Sequence, residues 1–417
     1  MIKKKEFIWN TIGSFISSLL SAIILAFCTR LNGIEIAGIF SISYATACVL
    51  NSIGDFGIRI FQVTDTKRKY SFSDYLVARI VAVVLMIIMA IGFVFISGYE
   101  TEKLIICLIL IAFRAVENLS ETYQAEFQMN GKLDLGGKSI VYRNLAGLII
   151  FFVLDLITKN MIISLIGLVL ANIIIFIFYD LRLIGNFAKT DINVKKKDII
   201  NILKECFPLA LSTLISMYVI NAVKYAIDAN GDYSMQTYFN IIYMPTFVIN
   251  MVSIFIIKPF LKPFGDYWNN KEYKKFIKIV VIIIGVLALA TLCVEIGCYI
   301  LGIPFLNLLY GVDLSEYKVH LLLLIFSGFL YATANVFFNA LGTMRTQRLT
   351  TIAYGLTAIF SLFVPHRLVD MYGMNGAVFS SIAIMGLLFI FMLIFFMYVL
   401  RKSIKSTKLV EKEKANI

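Results

Sequence analysis

Ionisable side chains recur at intervals of three or four residues inside two long apolar stretches of the sequence. Residues 37–61 include Asp55 and Arg59, and residues 104–127 include Arg114, Glu117 and Glu121. This spacing places side chains on one face of a helix. A charged side chain at the centre of a lipid-exposed helix costs about 2.5 to 3.5 kcal/mol. These faces are therefore predicted to line a hydrated path through a membrane.

The cations on these faces could hold an anionic solute, and the carboxylates could exchange a proton or a sodium ion. The cationic candidates are Arg59, Arg114 and Lys224, and the candidates for ion coupling are Asp55, Glu117, Glu121 and Asp228. A buried carboxyl can shift its pKa towards neutrality, as proton exchange requires. Asp55 with Arg59, and Arg114 with Glu117, also fit as structural ion pairs that pin neighbouring helices. The sequence leaves both interpretations open.

Amide and tyrosine side chains follow the same faces and suit contact with sugars. Aromatic rings can stack on the C–H surfaces of sugars, and amides match their hydroxyl groups as donors and acceptors. The sugar-contacting candidates are Tyr44, Asn51, Asn118, Asn240, Tyr243, Tyr331, Asn335 and Asn339.

Other polar residues are predicted to have structural roles. Arg79 and Lys278 lie near the ends of apolar stretches and are interpreted as anchors that extend their charges to the membrane surface. Asp155 lies near the opposite end of its stretch and is interpreted as interfacial. A face of small residues in the first stretch predicts close helix packing, and it comprises Gly13, Ser17 and Ser21.

The composition requires a membrane around these faces. Of the 417 residues, 60 % are hydrophobic and only 15 % are charged, whereas soluble domains have about 45 to 50 % and about 25 %. The mean hydropathy is +0.86. These values exclude a soluble enzyme. The net charge of +12 is explained by basic loops on one side of the membrane and by attraction to anionic membrane lipids, so no nucleic-acid partner is predicted.

The apolar stretches predict an all-α integral membrane protein with twelve transmembrane helices. Lysine and arginine concentrate in alternate loops, which places both termini in the cytoplasm. A polar linker divides the chain into halves: residues 1–181 and 207–400 are predicted six-helix bundles, 182–206 the cytoplasmic linker and 401–417 a basic cytoplasmic tail. The six cysteines lack paired spacing and there are only two histidines, so neither a disulfide framework nor a metal site is predicted.

Three stretches resemble the Wzx-type flippases of the multidrug/oligosaccharidyl-lipid/polysaccharide (MOP) exporter superfamily. The first contains Arg30, a short glycine turn and the Gly54-Asp55-Phe56-Gly57 sequence. The second runs from Pro304 to Gly311, and the third is the glycine-rich stretch at residues 372–377 that precedes the last helix. The three stretches occur in the order found in the family. Together with the predicted span count, the resemblance extends over essentially the whole chain.

The resemblance implies two bundles around a central cavity, working by alternating access in a bacterial inner membrane. The implied substrate is an oligosaccharide unit linked to undecaprenyl pyrophosphate, used for O-antigen or capsule assembly, and Arg30 matches a cationic position of the family. A polysaccharide polymerase and a chain-length regulator are the implied protein partners. No cofactor and no enzymatic activity are expected, although transport could couple to H⁺ or Na⁺. The alternatives are a multidrug or toxin extruder of the same superfamily and an integral polysaccharide polymerase.

Overall fold

The structure is a computed structural model that describes residues 4–65, 67–188, 194–257 and 260–415. These residues form helices joined by short turns, and no strand occurs among them. The predicted all-α fold class is confirmed.

The described residues up to Ala229 form nine helices, most of them closely connected. In chain order they are α1 (Lys4–Leu31), α2 (Ile34–Asp55), α3 (Ile58–Thr64), α4 (Phe72–Ile96), α5 (Thr101–Met129), α6 (Leu133–Thr158), α7 (Met161–Ile175), α8 (Arg182–Ile184) and α9 (Lys196–Ala229). A π-helical segment, Phe176–Leu181, joins α7 to α8.

The C-terminal part continues with fewer and longer helices. They are α10 (Tyr233–Ile257), α11 (Leu261–Asn269), α12 (Tyr273–Gly297), α13 (Ile303–Tyr310), α14 (Lys318–Thr343) and α15 (Gln347–Ala415). A π-helical segment, Cys298–Gly302, joins α12 to α13, and a short 3₁₀ turn, Ser315–Tyr317, precedes α14.

Ten helical stretches within the described residues are long and apolar enough to cross a membrane, so the chain is a multi-pass membrane protein. They are Ile8–Leu31, Ile34–Thr64, Phe72–Ile96, Leu133–Thr158, Met161–Ile184, Lys196–Ala229, Tyr233–Ile254, Tyr273–Tyr310, Ser315–Thr343 and Gln347–Thr407. Helix α5 has 29 residues but falls outside this set because of its charges. The last stretch contains a helix break at Gly373. The total of twelve spans stays a prediction.

The chain divides into two compact units, residues Met1–Asn221 and Ala222–Ile417. The division falls within α9, after the predicted linker at 182–206, of which residues 189–193 lie outside the described part. The predicted domain boundaries stay a prediction. The N-terminal unit contains α1 to α8 and most of α9, and the C-terminal unit contains the rest.

Small residues bring α1 against α6, which agrees with the packing predicted for this face of the first helix. A Cβ atom added at Gly13 would lie 3.0 Å from the carbonyl oxygen of Gly137. A Cβ atom at Gly137 would lie 2.5 Å from the backbone nitrogen of Asn10. The two backbones approach this closely because neither position has a side chain.

Asp155 is fully buried and lies three residues before the end of α6. Its position near the membrane interface stays a prediction. Its Oδ1 atom accepts hydrogen bonds from Asn32 Nδ2 at 3.2 Å and from Ser164 Oγ at 3.1 Å. The carboxyl group therefore joins the end of α1 and the start of α7 to α6.

The loop between α3 and α4 is organised around Asp65. Its carboxylate accepts hydrogen bonds from the backbone N–H groups of Lys69 (3.0 Å) and Tyr70 (3.1 Å) and from the hydroxyl of Tyr75 (2.9 Å). Partial burial acts to raise the pKa of Asp65, but these hydrogen bonds favour the ionised form and lower the pKa overall. The ionised carboxylate therefore stabilises the folded loop.

We expect Asp65→Asn to lower the free energy of unfolding by about 1 kcal/mol at neutral pH, because an amide oxygen accepts these bonds less strongly than a carboxylate. A carboxyl with a lowered folded pKa contributes its full stability above the unfolded pKa and loses it as the pH falls through the folded one. The difference in unfolding midpoint between the two proteins should thus shrink below about pH 4. A difference that stays constant from pH 7 to pH 3 would contradict this assignment.

The glycine-rich stretch before the last transmembrane segment forms a tight corner within α15. Gly373 has φ 53° and ψ −126° and interrupts the helix there. Residues with a Cβ atom disfavour this backbone conformation. A Cβ atom on Gly376 would lie 1.8 Å from the carbonyl oxygen of Leu368. The two glycines thus have different roles, one in the turn and one in the close passage of the chain.

Candidate functional site

The candidate site is an arginine–carboxylate cluster in the N-terminal unit, comprising Asp55, Arg59, Arg79, Arg114, Glu117 and Glu121. Its residues come from α2, α3, α4 and α5. Helix α2 ends at Asp55, and Phe56 and Gly57 adopt left-handed conformations with φ of 49° and 70° before α3 begins. This break leaves backbone carbonyl groups at the end of α2 without partners in their own helix.

Arg79 on α4 binds the end of α2. Its Nη1 atom donates to the carbonyl oxygens of Gly54 at 3.0 Å and Asp55 at 2.7 Å, and it lies 3.4 Å from Asp55 Oδ1. Its Nε atom donates to Thr122 Oγ1 on α5 at 3.1 Å. The side chain is completely buried. The prediction that Arg79 is a surface anchor is therefore wrong, because its guanidinium group finds partners on two other helices.

Asp55 and Arg59 do not form the pair that their spacing predicts. The helix break between them removes the regular turn that would align positions four residues apart. Instead Asp55 pairs with Arg79, and Arg59 Nη1 lies 3.7 Å from Glu121 Oε1 on α5. The second carboxylate oxygen of Glu121 lies 3.9 Å from Arg79 Nη2. Glu121 is therefore shared between two arginines.

Arg114 and Glu117 form the local pair that their spacing permits, one turn apart on α5. Arg114 Nη1 donates to Glu117 Oε2 at 2.5 Å. The guanidinium carbon lies 4.8 Å from the ring centre of Tyr44, and Nη2 donates to Cys48 Sγ at 3.1 Å. Tyr44 and Cys48 both lie on α2, so this pair ties α5 to α2, as the structural interpretation of Arg114 and Glu117 requires.

The cluster combines balanced charge with partial exposure. Three arginines face three carboxylates, so its formal charges sum to zero. The exposed fraction of the side chain is 0 % for Arg79, 13 % for Arg114 and 16 % for Glu117, but it rises to 27 % for Arg59, 30 % for Asp55 and 32 % for Glu121. Asp55 and the Arg59–Glu121 pair thus form the accessible part of the network, and Arg59 is the most exposed of its three arginines.

Two predicted sugar-contacting amides lie beside this network. Asn118 on α5 is 1 % exposed and donates to Asn51 Oδ1 on α2 at 2.8 Å, while its own Oδ1 lies 3.3 Å from Arg79 Nη1. Its amide is therefore occupied within the N-terminal unit. Asn51 and Tyr44 are half-buried.

Arg30 lies apart from the cluster. It is exposed and belongs to the last turn of α1. Helix α2 starts three residues after α1 and runs for 22 residues before it reaches Asp55. At 1.5 Å per residue, this places Arg30 roughly 30 Å from the cluster.

The predicted residues of the C-terminal unit form mostly uncharged polar surfaces. Lys224 and Asp228 are half-buried on the part of α9 that belongs to this unit. On α10, Tyr243 is half-buried beside Phe239, whereas Asn240 is 4 % exposed and donates to the carbonyl of Gln236 in its own helix.

Helix α14 presents the other predicted amides. Asn335 Nδ2 lies 3.5 Å from Asn250 Oδ1 on α10, and Asn339 donates to the carbonyl of Asn335. Tyr331 is half-buried one turn before Asn335. Asn335, Asn250 and Tyr331 thus offer polar groups on two neighbouring helices.

Arg79 is the residue of this site that the sequence analysis missed. Its position, seven residues after the start of α4 at Phe72, places it about 10 Å along the helix, which is deeper than an anchor at the membrane surface requires. The small residues Ala78 and Ala82 beside it would also admit a close neighbour. Depth and small neighbours are the signals that could have identified it.

Comparisons with known proteins agree with the architecture. No protein-family model matches the chain. The capsular polysaccharide biosynthesis protein CapF of Staphylococcus aureus is 22 % identical over 379 residues, which cover 89 % of this chain and 94 % of CapF.

Solved transporter structures match nearly the whole chain. The lipid II flippase MurJ in an inward closed conformation has a TM-score of 0.73 at 14 % identity and covers 97 % of this chain and 93 % of its own. An inward-facing multidrug MATE transporter of the MOP superfamily has a TM-score of 0.69 at 12 % identity, with 94 % and 95 % covered. The Vibrio cholerae MATE transporter VcmN has a TM-score of 0.60 at 13 % identity, with 96 % and 97 % covered. The chain has the fold of MOP-superfamily transporters.

Proposed function

We propose that the protein is a flippase that moves undecaprenyl-pyrophosphate-linked oligosaccharide units across the bacterial cytoplasmic membrane by alternating access. The observation that carries this proposal is the loose, partly exposed Arg59–Glu121 pair at the edge of a buried arginine–carboxylate network. The similarity to a capsular polysaccharide biosynthesis protein and the fold shared with a lipid II flippase support it.

A flippase of this kind has to solve a solvation problem. Transfer of an ionised group into hydrocarbon costs tens of kcal/mol in the idealised limit. The pyrophosphate and sugars therefore need a polar, cation-bearing path, while the polyprenyl tail can stay in lipid. A partly exposed arginine within the apolar stretch Ile34–Thr64 supports the first requirement.

The distances within the cluster assign different roles to its arginines. Charge-assisted N–H···O bonds usually measure 2.7 to 2.9 Å, and the 3.7 Å separation of Arg59 from Glu121 is longer. Arg59 can turn to a pyrophosphate while Arg79 still neutralises Glu121 from 3.9 Å. We therefore assign substrate binding to Arg59, positioning of the network to Arg79 and helix packing to Arg114. Arg30 and Lys224 stay candidates for contacts at other stages of transport.

Sugar contacts are assigned to the uncharged polar groups of the C-terminal unit. Tyr243, Tyr331 and Asn335 are partly accessible and carry no charge. Aromatic faces and amides recognise sugar hydroxyl patterns without a charge requirement. Substrates with different sugars would then be distinguished by these residues, and the common pyrophosphate by Arg59.

We expect Arg59→Gln to reduce the initial rate of flipping by roughly tenfold or more, because a charged hydrogen-bonding partner of the pyrophosphate is lost. The rate is measured with labelled lipid-linked oligosaccharide in vesicles that contain the purified protein. Arg59→Lys should retain an intermediate rate, since lysine keeps the charge but not the two-pronged geometry. Lys67→Gln, which removes an exposed loop charge, is the matched control.

The same vesicles separate this proposal from its alternatives. Normal flipping by correctly inserted Arg59→Gln would contradict the assigned role of Arg59. Absence of flipping by the wild-type protein, together with export of cationic drugs, would instead favour an extruder. Applied pH and sodium gradients test ion coupling, for which Asp55 and Glu121 are the partly exposed carboxylates of the cluster.

A further inference from the structure

A groove runs along the exposed face of α15 near its C-terminal end. Its volume is about 680 Å³, and its described lining consists of an apolar half followed by a cationic half. The apolar half comprises Leu393, Ile394, Met397 and Tyr398, and the cationic half comprises Arg401, Lys402 and Lys405.

The sequence spacing explains why the groove has two chemically different halves. Residues 393, 397, 401 and 405 form one row at intervals of four, and residues 394, 398 and 402 form the adjacent row. Rows of this kind are the ridges of a helix surface, with a groove between them. At 1.5 Å per residue the groove is roughly 18 Å long, and its apolar half accounts for roughly 8 Å, enough for the part of an acyl chain next to the headgroup.

The opposite face of α15 packs into the C-terminal unit and holds the groove in place. Met392 and Phe396 are buried, whereas Ile394 and Tyr398 are 53 % and 57 % exposed. Phe396 stacks on Phe276 of α12 with ring centres 6.2 Å apart. Beyond the groove, the hydroxyl groups of Tyr273 and Thr407 lie 3.1 Å apart.

The start of α12 adds positive charge near the cationic half of the groove. It carries three lysines within two turns, and the one acidic residue that directly precedes the helix, Glu272, pairs with Lys275 at 3.1 Å. The three lysines are Lys274, Lys275 and Lys278. This end of the C-terminal unit therefore has a marked excess of positive charge.

We propose that this groove binds an anionic phospholipid, with an acyl chain along residues 393–398 and the phosphate at Arg401, Lys402 and Lys405. An occupant must be apolar along one half and anionic at the other, as a phospholipid with an anionic headgroup is. Basic residues at a membrane surface each contribute attraction to anionic lipid. This inference does not depend on the proposed transport substrate.

Two other occupants fit the groove less well. A second copy of the chain would bring its own excess of positive charge against these cations, which like-charge repulsion opposes. A glycosylated lipid needs partners for its sugar hydroxyls, but the seven described lining residues include no amide, serine, threonine or carboxylate. The chemistry of the lining therefore favours an ordinary phospholipid.

The test compares lipid binding by the full-length protein with and without the three cations. Native mass spectrometry of the purified protein, titrated with phosphatidylglycerol or phosphatidylcholine, measures the occupancy of each lipid. We expect the wild-type protein to bind phosphatidylglycerol at least about tenfold more tightly than phosphatidylcholine. The variant Arg401→Gln/Lys402→Gln/Lys405→Gln should lose this preference, and Arg401→Gln alone should lose part of it.

A matched variant removes the same total charge elsewhere. Lys67, Lys132 and Arg182 are exposed residues of the N-terminal unit, and their replacement by glutamine should leave phosphatidylglycerol binding unchanged. Unfolding midpoints of both triple variants equal to that of the wild-type protein show that folding is intact.

Several results would overturn the proposal. Equal binding of the two lipids, retention of the preference by the Arg401/Lys402/Lys405 variant, or an equal loss in the matched variant would each do so. Displacement of the lipid by soluble glycerol 3-phosphate would show that only the headgroup is bound, which contradicts the proposed acyl-chain contact. A dimer that disappears in the Arg401/Lys402/Lys405 variant would assign the face to a second copy instead.

Discussion

Replacement of Arg79 by alanine is expected to destabilise the N-terminal unit by about 3 to 5 kcal/mol, the usual consequence of removing one partner from a buried ionic network. The guanidinium group binds the end of α2, contacts Thr122 on α5 and lies beside two carboxylates. Its loss leaves Asp55 and Glu121 short of positive charge and two carbonyl groups without their donor. We expect the unfolding midpoint in detergent to fall by about 10 °C or more.

Two further variants distinguish this role from a general sensitivity of α4. Arg79→Lys retains the charge but has one nitrogen in place of the planar fork, so it should recover only part of the loss. Lys278→Ala is the matched control. Like Arg79, Lys278 is a basic residue near the start of a long apolar helix, but its side chain is exposed. A midpoint for Arg79→Ala within 2 °C of that for Lys278→Ala would show that the network contributes little to stability.

Replacement of Gly376 by alanine is expected to destabilise the C-terminal unit by about 3 kcal/mol or more, the upper range for forcing extra volume into a packed site. The added Cβ would lie 1.8 Å from the carbonyl oxygen of Leu368. Because this neighbour is backbone, it cannot move aside as a flexible side chain could. The corner at Gly373 would have to open, which changes how the last helix leaves the preceding one. Unfolding midpoint and yield of monodisperse protein measure the effect.

Other glycines on α15 provide the controls. A Cβ atom at Gly355 meets no atom within 4 Å, and one at Gly386 meets only a leucine methyl carbon at 3.8 Å. Alanine at either position should be neutral or slightly stabilising, since alanine favours a helix more than glycine does. If Gly376→Ala behaves like these two variants, the close passage beside Leu368 is not a constraint in the protein.

Local sequence patterns predicted much of the fold. Long apolar stretches indicated membrane-spanning helices, and Gly13 indicated the close approach of α1 to a neighbour. The family resemblance implied a glycine-rich entry to the last helix at 372–377, and the structure places a helix break at Gly373. These features could be recognised because each depends on residues adjacent in sequence or one helical turn apart.

The candidate site was predicted less completely. The polar faces of α2 and α5 do come together, as their stripes indicated, and Arg114 pairs with Glu117. However, Asp55 pairs with Arg79 and Arg59 with Glu121, so the partner of each depends on how helices rotate and pack. The positive-φ break at Phe56 and Gly57 also changes the direction of Arg59, and spacing alone does not show this.

The sequence by itself determined that this chain is a helical membrane protein with ionisable groups inside its helices. The free energy of transferring each segment from water into a membrane depends on the composition of that segment. Only the tertiary structure decided which charges neutralise one another and which stay accessible. Pairing depends on distances through space between residues far apart in the chain, and those distances exist only after the helices have packed. That is why Arg79 became the buried centre of the network and Arg59 its accessible edge.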